Sequence, residues 1–268
     1  RLRLALNTTV WEWRNHPNHM GERFLSGYPV EGRWHYPQID VVSAYVEQQG
    51  EKDLGERRAQ EHGFTVYPTI AEALRQGTQE LAVDAVLLIG EHGEYPSNEK
   101  GQKLYPRYEF FSEIVQVFRR DGRAVPVFND KHLSYSFTKA QDMVAAAREL
   151  DFALLAGSSL PVTFRLPPLE LPLESRMEEA LMVGVGGSDA MDYHALEALQ
   201  CMVERRQGGE SGVKAVQLVD GEAVWQAGRE GRWSRRLLEG ALARSDSRSG
   251  IAISDGRPQD LVHSGELE

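Results

Sequence analysis

The densest concentration of chemistry in the chain is Gly90-Glu91-His92-Gly93-Glu94-Tyr95-Pro96, which directly follows the apolar run Ala85 to Ile89. Its glycines free the backbone, and no structural task calls for so many charges in a turn. Ligand contact or metal ligation is one reading, and a hydrophilic turn is the plain alternative. Asn129-Asp130-Lys131-His132 follows a second apolar run. A lysine at a strand end becomes a usable base when burial lowers its pKa, and is otherwise a solvated turn residue. His194 sits two positions after Asp192 and three before Glu197. An imidazole titrates near neutral pH and suits proton transfer, although a packed helix histidine has the same spacing.

Weaker candidates surround these. Ser158 and Ser159 lie in Gly157-Ser158-Ser159-Leu160-Pro161-Val162-Thr163, where small hydroxyls can bind a polar substrate or simply mark a hinge. The G-x-S-x-G elbow that would make Ser158 a nucleophile is absent. His16 and His19 stand near Trp11 and Trp13. Together with His92, Asp130 and His132 they offer oxygen and imidazole donors, but no spacing is a metal signature. A metal stays open, and no metal ligand is assigned. The tryptophans can stack on a sugar ring or fill core. Cys201 lies among Ala198, Leu199, Met202 and Val203 and reads as a buried, inert thiol.

Composition bounds the reading. The chain has 268 residues, 41% of them apolar and 26% charged, which suits one large or two moderate globular domains. A net charge of −10 with no basic block argues against nucleic-acid binding. With one cysteine there is neither an intrachain disulfide nor a cysteine zinc site. No apolar run reaches the roughly 20 residues of a membrane span. The sequence begins Arg1-Leu2-Arg3-Leu4 without Met, so residues ahead of it are expected. A cytoplasmic location is the default expectation, with export left open.

The elements that must position these residues alternate. Strands are predicted at residues 2–6, 39–46, 64–67, 85–89, 125–128 and 153–156. Helices are predicted from the capping pairs Asp53/Glu56 and Thr69/Glu72, over 110–120 and over 138–150. Gly63, Gly77 and Gly122 read as helix stops. Strand–helix alternation predicts a Rossmann-like, doubly wound parallel sheet with helices on both faces, its site beyond the carboxyl ends of the strands. Pro161, Pro167, Pro168 and Pro172 mark a boundary. Beyond it we expect an α+β domain over 161–244, with strands at 179–185 and 213–219. Gly186 and Gly187 lead into a helix through Cys201, and another short helix starts at Ser234. A mobile tail follows over 245–268. The first domain is read as 1–160.

Four segments, in this order, resemble the glucose–fructose oxidoreductase, inositol dehydrogenase and MocA-type (Gfo/Idh/MocA) family. They are DLGERRAQEHGFTVYPTIAEAL from Asp53, VDAVLLIG from Val83, VPVFNDKHLSYSFTKAQDMVAAARE from Val125 and GGSDAMDYHALEAL from Gly186. The resemblance implies hydride transfer between NAD or NADP and a sugar, cyclitol or related polyhydroxylated molecule, in carbohydrate metabolism and in a homo-oligomer. It makes Lys131 the residue that polarises or deprotonates a substrate hydroxyl and His194, with Asp192, the acid–base partner. It lays the cofactor along Asn7, Thr8, Thr9, Glu47, Glu91 and His92, and the substrate beside Glu94, His132, Ser158 and Ser159. Two features depart from the family. Leu6 is followed by Asn-Thr-Thr-Val-Trp-Glu-Trp where a glycine-rich turn would let a pyrophosphate approach, and Asp130-Lys131-His132 replaces Glu-Lys-Pro. The stretch after Pro161 is also short for a broad open sheet, so the second domain is read as incomplete. A non-redox lyase, isomerase or hydrolase on the same scaffold, with or without a metal, is the enzymatic alternative. A non-catalytic ligand-binding or assembly protein is the other.

Overall fold

Short runs of Val, Leu, Ile and Ala, each too short for a helix and bounded by turns, fold as the strands of one sheet. The computed structural model describes residues 1–184 and 188–244, with the backbone of 253–254 and 257–258. It divides into two compact units, Arg1–Ser158 and Ser159–Glu268.

The first unit runs β1 (Leu2–Thr8), α1 (His16–Leu25), β2 (Tyr28–Val30), β3 (Arg33–His35), β4 (Ile39–Val46), α2 (Gly55–His62), β5 (Thr65–Tyr67), α3 (Ile70–Arg75), β6 (Ala85–Ile89), α4 (Arg107–Asp121), β7 (Val127–Asp130), α5 (Phe137–Glu149) and β8 (Leu154–Gly157). Six strands form one sheet in the order β5-β4-β1-β6-β7-β8. Every pairing in it is parallel. This is the doubly wound 3-2-1-4-5-6 order, in which the chain reverses direction across the sheet between β1 and β6. β2 and β3 form a separate antiparallel hairpin.

The central strand β6 is apolar on both faces because both are covered. Val86 and Leu88 pack with Phe110, Phe111, Ile114 and Met143 under α3, α4 and α5. Leu87 and Ile89 pack with Leu6, Trp11, Ala59 and Phe64 on the side of α1 and α2. The helix stops follow chemistry visible in the chain. Gly63 and Gly122 take left-handed φ values of 77° and 64°, which glycine adopts without a Cβ penalty. Thr69 caps α3 by accepting from the Glu72 N–H at 3.1 Å.

Several expectations are corrected. The stretch after β1, for which no helix is predicted, contains one. It holds α1, capped by Asn15, whose side chain accepts from the Asn18 N–H, with Pro17 in the first turn. Helix α2 begins at Gly55, two residues past Asp53, whose carboxylate accepts from the Gly55 N–H at 3.1 Å and from the Glu56 N–H, so Asp53 caps it from one position further out. Helix α3 ends at Gln76, itself left-handed at φ 51°, one residue before Gly77.

The second unit contains a 3₁₀ turn (Leu160–Val162), α6 (Asp189–Val203), α7 (Gly221–Arg229), α8 (Arg235–Leu242) and a short β9–β10 pair (Ile253–Ser254, Arg257–Pro258). The strand expected over 179–185 is absent from its described residues, as is the one expected over 213–219. Val213, Val216 and Leu218 are 75–87% exposed, so the apolar alternation there has no sheet to face. Helix α7 was not foreseen, whereas α8 starts after Ser234, whose hydroxyl accepts from the Leu237 N–H at 3.2 Å. Cys201 is half-buried: Arg165 donates to its Sγ at 3.3 Å, and the thiol donates to the Pro161 carbonyl at 3.4 Å. Val185, Gly186, Gly187 and most of the tail from residue 245 lie outside the described residues.

Candidate functional site

Parallel strands deliver their following loops to one edge of a sheet, and the carboxyl ends of β1, β6 and β7 bring the chain's main charge cluster together. Glu91 follows β6 after Gly90 and is buried. Its Oε1 accepts from Lys131 Nζ at 2.8 Å, and its Oε2 accepts from Arg107 Nη2. Lys131 and Arg107 are themselves buried. Arg107 opens α4, and its Nη1 lies 3.1 Å from His132 Nε2. A carboxylate shared between two cations out of water is strongly tied, because each charge depends on the others for its solvation. Burial alone would push the Glu91 carboxyl up, but Arg107 and Lys131 overcome this and hold it below the usual carboxylate range.

Beside this triad stands a carboxylate–imidazole dyad. Asp130, the buried last residue of β7, accepts from His16 Nδ1 at 2.5 Å. His16 opens α1 and keeps 30% of its side chain exposed. With Nδ1 held as the donor, Nε2 is the nitrogen left to exchange a proton. The His92 ring meets the His16 ring edge-on at 5.3 Å. His92 reaches solvent, yet desolvation by its neighbours and the adjacent His16 hold its imidazole below the usual range. His92 and Lys131 both adopt left-handed φ values, 68° and 61°. Such backbone costs non-glycine residues about 1–3 kcal/mol each, and it concentrates at functional sites.

The residues assigned from sequence separate into groups. Glu91, His92, Lys131 and His132 converge here. Thr8 and Thr9 stitch β1 to the end of β6: the Thr8 hydroxyl is shared between the Ile89 and Val10 carbonyls at 3.0 and 3.1 Å, and the Thr9 hydroxyl donates to the Glu91 carbonyl at 2.6 Å. Asn7 lies in register with Leu88, its side-chain amide fully buried and without a hydrogen-bond partner. Glu47 and Glu94 lie at the end of β4 and in the loop facing it. Ser158 closes the first unit. Ser159, Asp192 and His194 belong to the second, where His194 Nδ1 lies 3.1 Å from Glu197 Oε2. Sequence reading missed Arg107; it grouped His16 with His92, Asp130 and His132 as donors for one site, but not as a dyad with Asp130. Arg107 follows Pro106 at a helix start, but nothing local signals its partner 16 positions away. Among the described residues, no group of three or more His, Cys, Asp or Glu is arranged to hold a metal.

A dinucleotide does not fit the turn after β1. Such a cofactor needs unengaged N–H groups at the start of α1 and room for its pyrophosphate. Here the Asn15 N–H donates to the Glu12 carbonyl and the His19 N–H to the Asn15 carbonyl. The Arg14 N–H donates to Asn18 Oδ1 and the Asn18 N–H to Asn15 Oδ1. Pro17 has no N–H at all. Trp11 fills the space beneath, so close to α1 that a Cβ on Gly21 would lie 2.9 Å from its ring.

No family model matches the chain, and no curated protein sequence matches it. Solved structures resemble it at low identity. They include the dehydrogenase MviM from Clostridium difficile, at 10% identity over 61% of this chain and 41% of that one, with a TM-score of 0.40. GenD2 from gentamicin A biosynthesis, solved in complex with NAD, shares 19% identity over 59% of this chain and 34% of its own, with a TM-score of 0.38. UDP-N-acetylglucosamine 3-dehydrogenase GnnA from Acidithiobacillus ferrooxidans shares 14% over 59% and 38%, with a TM-score of 0.37. The chain thus spans between 34% and 41% of the length of these proteins. No helix among the described residues is long and apolar enough to cross a membrane. The structural neighbours of this chain are Gfo/Idh/MocA-type dehydrogenases, and the likeness is one of fold.

Proposed function

We propose that the first unit is an acid–base site for a small, polar, hydroxyl- or carbonyl-bearing molecule. The observation that carries this reading is the His16–Asp130 dyad, 2.5 Å between Nδ1 and Oδ2, at the carboxyl end of a doubly wound sheet. A buried carboxylate orients the imidazole, fixes its tautomer and stabilises the imidazolium formed when Nε2 takes a proton. His92 is held toward its neutral form beside it and serves as a second proton carrier. Lys131, anchored by Glu91, presents fixed positive charge at the same strand end, which favours a developing oxyanion. Proton transfer of this kind serves an isomerase, lyase or hydrolase.

Hydride transfer with NAD or NADP on a sugar or cyclitol is the second reading. The strand order favours it, since this is the order of dinucleotide-binding sheets. So does the position of Lys131 after β7. The filled start of α1 counts against it.

The deciding experiment incubates the full chain with a panel of sugars, cyclitols and their keto and phosphorylated forms in deuterated water, without added nucleotide. Exchange of a carbon-bound proton or product formation, lost in His16→Ala, supports the acid–base reading. Turnover that appears only when NAD or NADP is added replaces it with the second.

A further inference from the structure

In a sheet of this strand order, an acidic residue after the second strand takes the ribose of a bound dinucleotide. Glu47 follows β4, the second strand of the large sheet, and it already has a hydroxyl partner. The Tyr95 phenol donates to Glu47 Oε2. The next residue, Gln48, grips the same segment with both ends of its amide. Its Oε1 accepts from the Glu94 N–H at 2.9 Å, and its Nε2 donates to the Glu94 carbonyl at 3.3 Å.

The segment is built to stay there. Gly93 has φ 97°, a conformation that a residue with a Cβ adopts only under strain, so the turn into the segment favours glycine. Lys103 Nζ donates to the Tyr95 carbonyl at 3.1 Å, and the Leu104 N–H donates to the Pro96 carbonyl at 3.0 Å. The Tyr95 and Tyr105 rings meet edge-on at 5.6 Å. Glu47 and Gln48 are in turn fixed to β1, their N–H groups donating to the Thr8 and Thr9 carbonyls at 3.0 and 2.8 Å.

We propose that the chain has turned its nucleotide crevice inward: Glu47 and Gln48 recognise the chain's own Glu94–Tyr95 in place of a ribose, and no dinucleotide enters at the end of β1. Burial and the neighbouring Glu47 raise the Tyr95 phenol, keeping it protonated as the donor this contact needs. Two separate structures thus exclude the ligand. The strap occupies the ribose end, and the internally bonded start of α1 occupies the pyrophosphate end. The inference is independent of the acid–base reading, because its test measures binding and not turnover.

The test uses the full chain. NADH and NADPH fluorescence and calorimetry with NAD and NADP measure binding. Hydrogen exchange follows the Glu94 amide in the wild type and in Gln48→Ala. The expected result is no saturable binding into the millimolar range, with a protected Glu94 amide that exchanges at least tenfold faster in Gln48→Ala. Saturable micromolar binding by the wild type would overturn the proposal. A Glu94 amide that exchanges as freely in the wild type as in Gln48→Ala would do the same, since the strap would then not be held.

Discussion

His16 Nδ1 and Asp130 Oδ2 meet at 2.5 Å although 114 positions separate them in the chain. The contact joins the first turn of α1 to the last residue of β7, strands β1 and β7 being separated in the sheet only by β6. If the dyad works as one unit, its members are not additive. His16→Ala and Asp130→Asn are each expected to lower turnover by about 10²-fold or more, and the double variant to be little worse than either. Additive losses in kcat/KM would show that the two side chains act separately.

Glu91 bridges Arg107 and Lys131, one carboxylate oxygen to each. Glu91→Gln keeps its shape but leaves buried cations facing a neutral amide. Removing one member of a buried ion group costs about 3–5 kcal/mol. Urea unfolding should show a loss of that size at neutral pH. A loss below about 1 kcal/mol would mean that the triad is open to water.

The direction of the pH response follows from the same residues. Glu91 is held below its unfolded pKa, so its stabilisation is complete above the unfolded value and is lost as pH falls through the folded one. His92 is also lowered in the folded protein. The unfolded chain therefore takes up that proton first as pH drops, and unfolding is favoured below the ordinary imidazole range. Stability should fall in steps on acidification, first from His92 and at lower pH from Glu91. Denaturant midpoints taken across this range in the wild type and in His92→Gln check the order. The first step should be absent from the variant.

Gly90 lies where β6 meets Arg107. A Cβ there would stand 2.7 Å from Arg107 Cγ and 3.3 Å from its Cα, so the start of α4 would have to move. Gly90→Ala should cost about 1–3 kcal/mol, as overpacking does. Thermal unfolding of this variant beside Gly63→Ala separates the effects. Gly63 has nothing within 4 Å of an added Cβ, and its cost would come from its left-handed φ of 77° alone.

The sheet was legible because Ala85 to Ile89 is apolar on both faces, a pattern that few structures besides a covered parallel strand require, and shorter apolar runs alternate with helical periods on either side of it in the chain. Helix α1 was not. Its apolar stripe is confined to Met20, Phe24 and Leu25, and its cap is hidden in a run of Trp, Asn and His. In the second unit, the alternation around Val216 imitates a strand while the side chains face solvent. Of the site, Glu91, His92, Lys131 and His132 were found because they follow strands directly. Arg107 and the role of His16 were hidden because their partners are set by the crossing of β6 and β7 beside β1, which no local spacing records.

The stitching of β1 to β6 by Thr8 and Thr9 also bears on how the protein comes together. No stretch of neighbouring residues contains the dyad or the triad. The triad needs β7 docked beside β6, and the dyad needs β6 beside β1 as well; parallel pairings of this kind close long loops before any contact repays the entropy. A growing chain carries Glu91 before it has either Arg107 or Lys131 to neutralise it, and the completed cluster is a marker that the sheet has closed in its correct order.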